Sequence, residues 1–147
     1  MAASAIGDRF QQVCRERADV VAVRQISTRT GTTFADLAAG CLVIERALHD
    51  LGVEPGAAVV SVVGNQSIFF SVVVACIEAG TALVPLGEAT DAEVMALVEQ
   101  AGAVAVISDR ELPLQPEHLR ALDSRCDSTG SRDPCARVST VVRLCSS

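Results

Sequence analysis

Between Ala57 and Ser108 short β-branched apolar runs alternate with helix-patterned segments, and no other feature constrains the fold as tightly. The runs are Ala57–Val63, Thr81–Leu86 and Ala103–Ser108, each too short for a buried helix, and the first is the richest in Val. Between the first two lies a segment from Ile68 to Ala79, apolar on nearly all sides and closed by Gly80. Asn65 or Ser67 is placed to cap it. Between the second and third, Thr90 and Glu93 form a Thr-x-x-Glu capping box, Val94, Leu97, Val98 and Ala101 line one face, and Gly102 ends the helix. Strands joined through single helices by such short connections run parallel, with right-handed crossovers that put helices on both sides. The expected class is α/β: a partial three-layer sheet of mostly parallel strands.

Upstream the spacing predicts a helix over Ile6–Arg17 and a strand over Val20–Ile26. The polar segment Ser27–Thr33 around Gly31 then makes a short hairpin or loop. Thr33 and Asp36 make an Asp-containing capping box, and Phe34, Leu37, Cys41, Ile44, Leu48 and Leu51 repeat as one helical stripe. That helix runs from about Phe34 to Leu51, with Gly52 at its end and a turn at Pro55-Gly56. A weaker helix over Pro116–Asp123 closes the ordered part.

Pro55 to Ile77 is 23 residues without a charge, long enough to cross a bilayer on length alone. Gly64, Asn65, Gln66 and Ser67 interrupt it where hydrocarbon would be deepest, so a buried strand followed by a buried helix is expected, and no membrane partner. The first residues show neither a basic nor an apolar export region, which with the scattered cysteines points to a reducing cytoplasm. Two regions follow from charge and pattern: residues 1–123 as the folded domain, with net charge −8, and residues 124–147 as an irregular tail, with net charge +2. The tail holds six Ser and three of the six Cys, and shows no hydrophobic periodicity until a short patch at Val141, Val142 and Leu144. Reading a GC-rich gene out of frame would produce such a change.

All twelve basic residues are Arg; the chain has no Lys, Trp or Tyr. Chemistry that needs an ammonium group within the chain is therefore excluded, including a Walker-type phosphate loop and a Schiff-base lysine. A net charge of −6 and the missing aromatic platforms argue against nucleic acid. Cys14, Cys41, Cys76, Cys126, Cys135 and Cys145 include no Cys-x-x-Cys pair, and the first three read as small core hydrophobes. His49 and His118 read as solvated surface residues. A phosphoacceptor domain would need clustered Asp and a Lys, and the Gly-x-Gly-x-x-Gly of dinucleotide binders is absent.

Ligands of open α/β sheets gather outside the carboxyl ends of the strands. The default positions are residues 64–67, 86–90 and 108–113, which supply Asn65, Ser67, Glu88, Thr90, Ser108, Asp109, Arg110 and Glu111. None is His, Cys or Lys, so no catalytic, cofactor-binding or metal-ligating residue is assigned.

In order and spacing, residues 9 to about 112 resemble the N-terminal part of the adenylate-forming (AMP-binding) enzymes, the family of acyl-CoA synthetases and adenylation domains. The resemblance rests on Val21-Ala22-Val23, Thr33-Phe34-Ala35-Asp36-Leu37 and Leu48-His49-Asp50-Leu51-Gly52-Val53-Glu54-Pro55-Gly56. It continues through the helix begun near Asn65 and through Ala79-Gly80-Thr81-Ala82-Leu83-Val84-Pro85-Leu86. It implies ATP-dependent activation of a carboxylic acid as an acyl-adenylate, with ATP, Mg and CoA serving the full-length family and fatty acids among its substrates. The family's phosphate loop ending in Pro-Lys-Gly, its aromatic-Gly-x-Thr-Glu motif, its ribose-binding Asp and its C-terminal catalytic Lys have no counterpart here. Ser128-Thr129-Gly130-Ser131 falls where the phosphate loop would begin, but Arg132-Asp133-Pro134 follows and no Lys. The expectation is a truncated or frameshifted ligase fragment that is inactive alone and binds no cofactor by itself. The alternative is a non-catalytic interaction module for a full-length synthetase or carrier protein. Self-association through an exposed sheet edge is expected of either.

Overall fold

A computed structural model describes residues 4–64, residues 67–113 and the backbone of residues 141–143. Asn65, His118, the helix expected over Pro116–Asp123, the Ser128–Ser131 segment and Cys126, Cys135 and Cys145 lie outside the described residues. In chain order the elements are α1 (Ala5–Glu16), β1 (Val21–Gln25), β2 (Thr30–Thr33), α2 (Phe34–Asp50), β3 (Ala58–Val62), α3 (Ile68–Ala79), β4 (Ala82–Leu86), α4 (Asp91–Ala101), β5 (Ala105–Ser108) and β6 (Val141–Arg143).

Four strands form a parallel sheet in the order β4-β3-β5-β6, and β1 and β2 form a separate antiparallel hairpin. The α/β class is thus observed, with the expected parallel sheet. The polar stretch before α2 is more regular than a loop, since Thr30–Thr33 pairs with Val21–Gln25. Arg29, at φ 56°, turns the chain between the two strands. Val141–Arg143, in the segment read as tail, lies beside Val106–Ser108 as β6.

The sheet is covered on both faces because its strands alternate. Val59, Val63, Ala105 and Ile107 pack with Cys41, Ile44 and Leu48 of α2 and Val72, Ala75 and Cys76 of α3. Val60, Val62 and Val106 pack on the other side with Val94 and Val98 of α4. The period of two along each strand sorts neighbouring valines to opposite cores. Helix α1 lies against α2 and α3, with Phe10 reaching their core.

The two capping boxes expected from sequence both form. The Thr33 backbone N–H and hydroxyl donate to Asp36 Oδ2 at 2.9 Å and 2.7 Å, and the Asp36 N–H donates to Thr33 Oγ1 at 3.2 Å. The Thr90 and Glu93 box repeats the pattern at the start of α4. Ser67 differs from expectation. It occupies the N-cap position of α3 but caps nothing; its backbone is already helical, and its Oγ accepts from Thr32 Oγ1 at 2.9 Å. The helix ends are where the glycines put them, with Gly80 and Gly102 left-handed at φ 67° and 59°.

Helices α2 and α3 approach closely at Gly40, where a Cβ would lie 2.8 Å from Ser71 Oγ. That closeness lets the buried Ser71 hydroxyl donate to the Leu37 carbonyl at 2.9 Å. Strand β4 forms one margin of the sheet. The Ala82 N–H donates inward to Ala57 at 2.8 Å, so by alternation Leu83 and Pro85 turn their backbones outward. Pro85 therefore costs the ladder no hydrogen bond and removes a donor from the open margin. No described helix is long and apolar enough to cross a membrane.

Candidate functional site

Strand order locates the candidate site. From β3 the chain crosses through α3 to β4 on one side, then through α4 to β5 on the other. Connections leaving in opposite directions open a crevice between the carboxyl ends of β3 and β5, where α/β sheets bind ligands.

In this crevice the Gly64 N–H donates to Asp109 Oδ2 at 3.0 Å, which ties the end of β3 to the end of β5. Next to it Ser108 Oγ accepts from the Arg110 N–H at 3.1 Å and donates to the Arg110 carbonyl at 2.7 Å. This local turn swings the Arg110 side chain toward the start of α4. There Nη2 donates to the Ala89 carbonyl at 2.8 Å and Nη1 pairs with the Asp91 carboxylate. The three loops expected to form the site are thus linked by hydrogen bonds between their own residues.

Those bonds consume much of the polar equipment. Thr90 is spent on capping α4, and Ser67 accepts from Thr32. Glu88 and Glu111 are exposed. The described crevice holds carboxylates, one engaged guanidinium and no imidazole, thiol or ammonium. A triphosphate needs cations or a cradle of backbone N–H groups. Arg110 is committed to Asp91 and Ala89, and Asp109 and Glu111 add negative charge beside it. The described residues therefore do not fit ATP, and no group of three or more His, Cys, Asp and Glu among them is placed to hold a metal ion.

The other chemically capable side chains lie elsewhere. Cys14, Cys41 and Cys76 are buried free thiols. Burial pushes each thiol up from its ordinary value, which keeps it protonated and unreactive. The His49 side chain is 90% exposed on α2, with Nδ1 3.6 Å from Asp50 Oδ1.

A groove of about 1060 Å³ is lined by Leu42, Val43, Glu45, Arg46, His49 and Glu78 among others. It also touches Val53, Pro55 and Ala79, residues that lead into β3 and β4, so it opens at the amino ends of the strands. That is the wrong end of the sheet for the chemistry such folds perform, and the crevice between β3 and β5 is the better candidate.

Sequence reasoning placed the three loops but missed two features. The clamp of Arg110 on Ala89 and Asp91 left no local signal, because its partners are some twenty residues away. Glu78 was visible as the one charged residue in α3.

Comparison with known proteins agrees with the fold. The amino-terminal subdomain of NpsA from Klebsiella oxytoca, in complex with 3-hydroxybenzoyl-AMSN, superposes with TM-score 0.61 at 21% identity, covering 76% of this chain and 28% of that one. Coronafacic acid ligase from Pectobacterium brasiliense gives 0.62 at 22% identity, covering 71% of this chain and 21% of that one. A Mycobacterium tuberculosis fatty acyl CoA synthetase gives 0.60 at 23% identity, covering 70% and 21%. The chain thus spans between a fifth and three tenths of the length of these structures. No curated protein sequence matches it. The family model of the AMP-binding enzymes, in contrast, matches residues 10–142, nearly the whole chain, and this chain belongs to that family.

Proposed function

We propose that this chain is the amino-terminal part of an ATP-dependent, acid-activating ligase that forms acyl-adenylates in the cytoplasm, with fatty acids as the substrate class. Alone it is catalytically inactive. The match of residues 10–142 to the AMP-binding enzyme family carries the assignment to acid activation. The lack of any Lys and the engagement of the crevice's Arg110 with Asp91 and Ala89 support the loss of activity, since stabilising a pentavalent phosphorus transition state depends on positioned positive charge. The phosphate loop, the catalytic Lys and the contacts to ATP, Mg and CoA are supplied by segments outside this chain.

The interaction-module reading keeps a specific support. Leu42 and Val43 on α2 are 61% and 63% exposed, large apolar side chains on a helix whose other face is core. A full-length synthetase or a carrier protein is the class of partner this reading implies.

Isothermal titration of the chain with ATP, AMP and Mg separates these readings from a working enzyme. The expected outcome is no heat of binding. A dissociation constant in the range of about 1 μM to 1 mM, usual for substrates, would overturn the inactive-fragment reading. With ATP silent, retention by an immobilised carrier protein would favour the module.

A further inference from the structure

Glu78 is the single charged residue of α3, half-buried at the edge of the groove it shares with Glu45. Its Oε1 is buried and accepts no hydrogen bond. The atom lies against Gly7 of α1, where a Cβ would come within 1.0 Å of Oε1 and 2.1 Å of Cδ. With glycine at position 7 the carboxyl can occupy this place against α1; a side chain there would displace it. We infer that the Glu78 carboxyl, wedged between α1 and α3 beside Glu45 and Asp8, is a proton-operated clasp that holds α1 down when protonated and loosens it when ionised.

The surroundings set the sign. Helix α1 contributes Asp8 and Cys14, and α2 contributes Cys41 and Glu45. Glu45 Oε1 already accepts from Cys41 Sγ at 3.0 Å, and Arg15 acts on Cys14. Arg46 and His49 line the groove shared by Glu45 and Glu78, but among the described residues no cation forms a salt bridge with either carboxylate. An ionised oxygen held out of water without a donor is costly, and two neighbouring carboxylates add repulsion. Burial first, then Glu45 and Asp8, push the Glu78 carboxyl above its usual range. The thiols of Cys14 and Cys41 are pushed up too and stay neutral throughout.

A carboxyl raised in the docked state contributes fully below its undocked value, near 4.5, and that contribution is lost as pH rises through the docked value. Phe10 still anchors α1 to the core, so the helix loosens and does not leave.

The test is hydrogen exchange of the α1 amides in the full chain from about pH 5 to about pH 8, corrected for intrinsic rates, with α4 as internal reference. Wild-type α1 protection is expected to fall on raising the pH, by about tenfold for each unit by which docking raises the carboxyl. Glu78→Gln, isosteric and neutral, is expected to keep high protection at both ends. Gly7→Ala, which must evict the carboxyl into the adjoining groove, is expected to abolish the slope. A flat wild-type profile, a slope retained in Glu78→Gln, or wild-type behaviour of Gly7→Ala would each overturn the clasp.

Discussion

The two faces of the parallel sheet are built unequally. One packs eleven buried residues from α2, α3 and the strands, including Ile44, Leu48 and Ile107, with Phe10 and Leu51 at its margin. The other packs six, all Val or Ala, beneath α4. Buried apolar area sets most of the packing free energy, so the first face carries the larger share of stability. The second compensates with polar links: the Thr90 and Glu93 box, and Arg110 reaching from β5 to the start of α4. Those links are the same ones that occupy the crevice. On this side the molecule spends its functional positions on holding α4 in place.

The largest test of this inequality is truncation in each core. Ile44→Ala, at a site with 0% exposure, is expected to cost about 3 to 4 kcal/mol. Val98→Ala, also at 0%, removes less volume and is expected to cost about 2 kcal/mol. Urea denaturation measures both, and equal losses would break the comparison.

Two buried serines sharpen it within the first face. Ser71 Oγ donates to Leu37, whereas Ser61 Oγ, at the centre of β3, is buried without a partner. Ser71→Ala is expected to destabilise by about 1 kcal/mol, and Ser61→Ala to stabilise by a similar amount, because one removes a bond and the other removes an unmet hydroxyl. Thermal melts of the two variants should move in opposite directions.

The smallest effect concerns the caps, one on each face. Thr33 and Thr90 backbone N–H groups, and then their hydroxyls, hold the Asp36 and Glu93 carboxyls below their usual values. A depressed carboxyl stabilises above its unfolded value and loses that contribution as pH falls through the folded one. Stability is therefore expected to drop below about pH 4.5 through both caps, opposite in sign to Glu78. In Thr90→Ala the α4 amides should lose protection at neutral pH and show a weaker acid response, while α2 keeps its own.

Periodicity and punctuation made most of the fold legible. The helix from Ile68 to Ala79 matches its observed bounds, and α2 starts at Phe34 as its capping box implied. Three loops at the strand ends were also legible, since connection lengths alone force the parallel crossovers. The β1–β2 pairing was less so. Thr30–Thr33 carries no apolar alternation, and it becomes a strand because β1 lies beside it to satisfy its backbone. Ser67 looked like a cap by residue type, but Thr32, 35 positions earlier, claims its oxygen.

Residue spacing along the chain established the α/β class, the order of the elements and, through the missing Lys, what chemistry the chain lacks, because these are local or compositional properties. Spatial packing settled what depends on distant partners. Arg110 is a clamp on α4 because Ser108 turns it toward Ala89, and one oxygen of Glu78 is buried because Gly7 admits α1 beside it. Burial and hydrogen-bond partnership are set by chain segments far apart in sequence, and only their approach in three dimensions assigns each side chain its role.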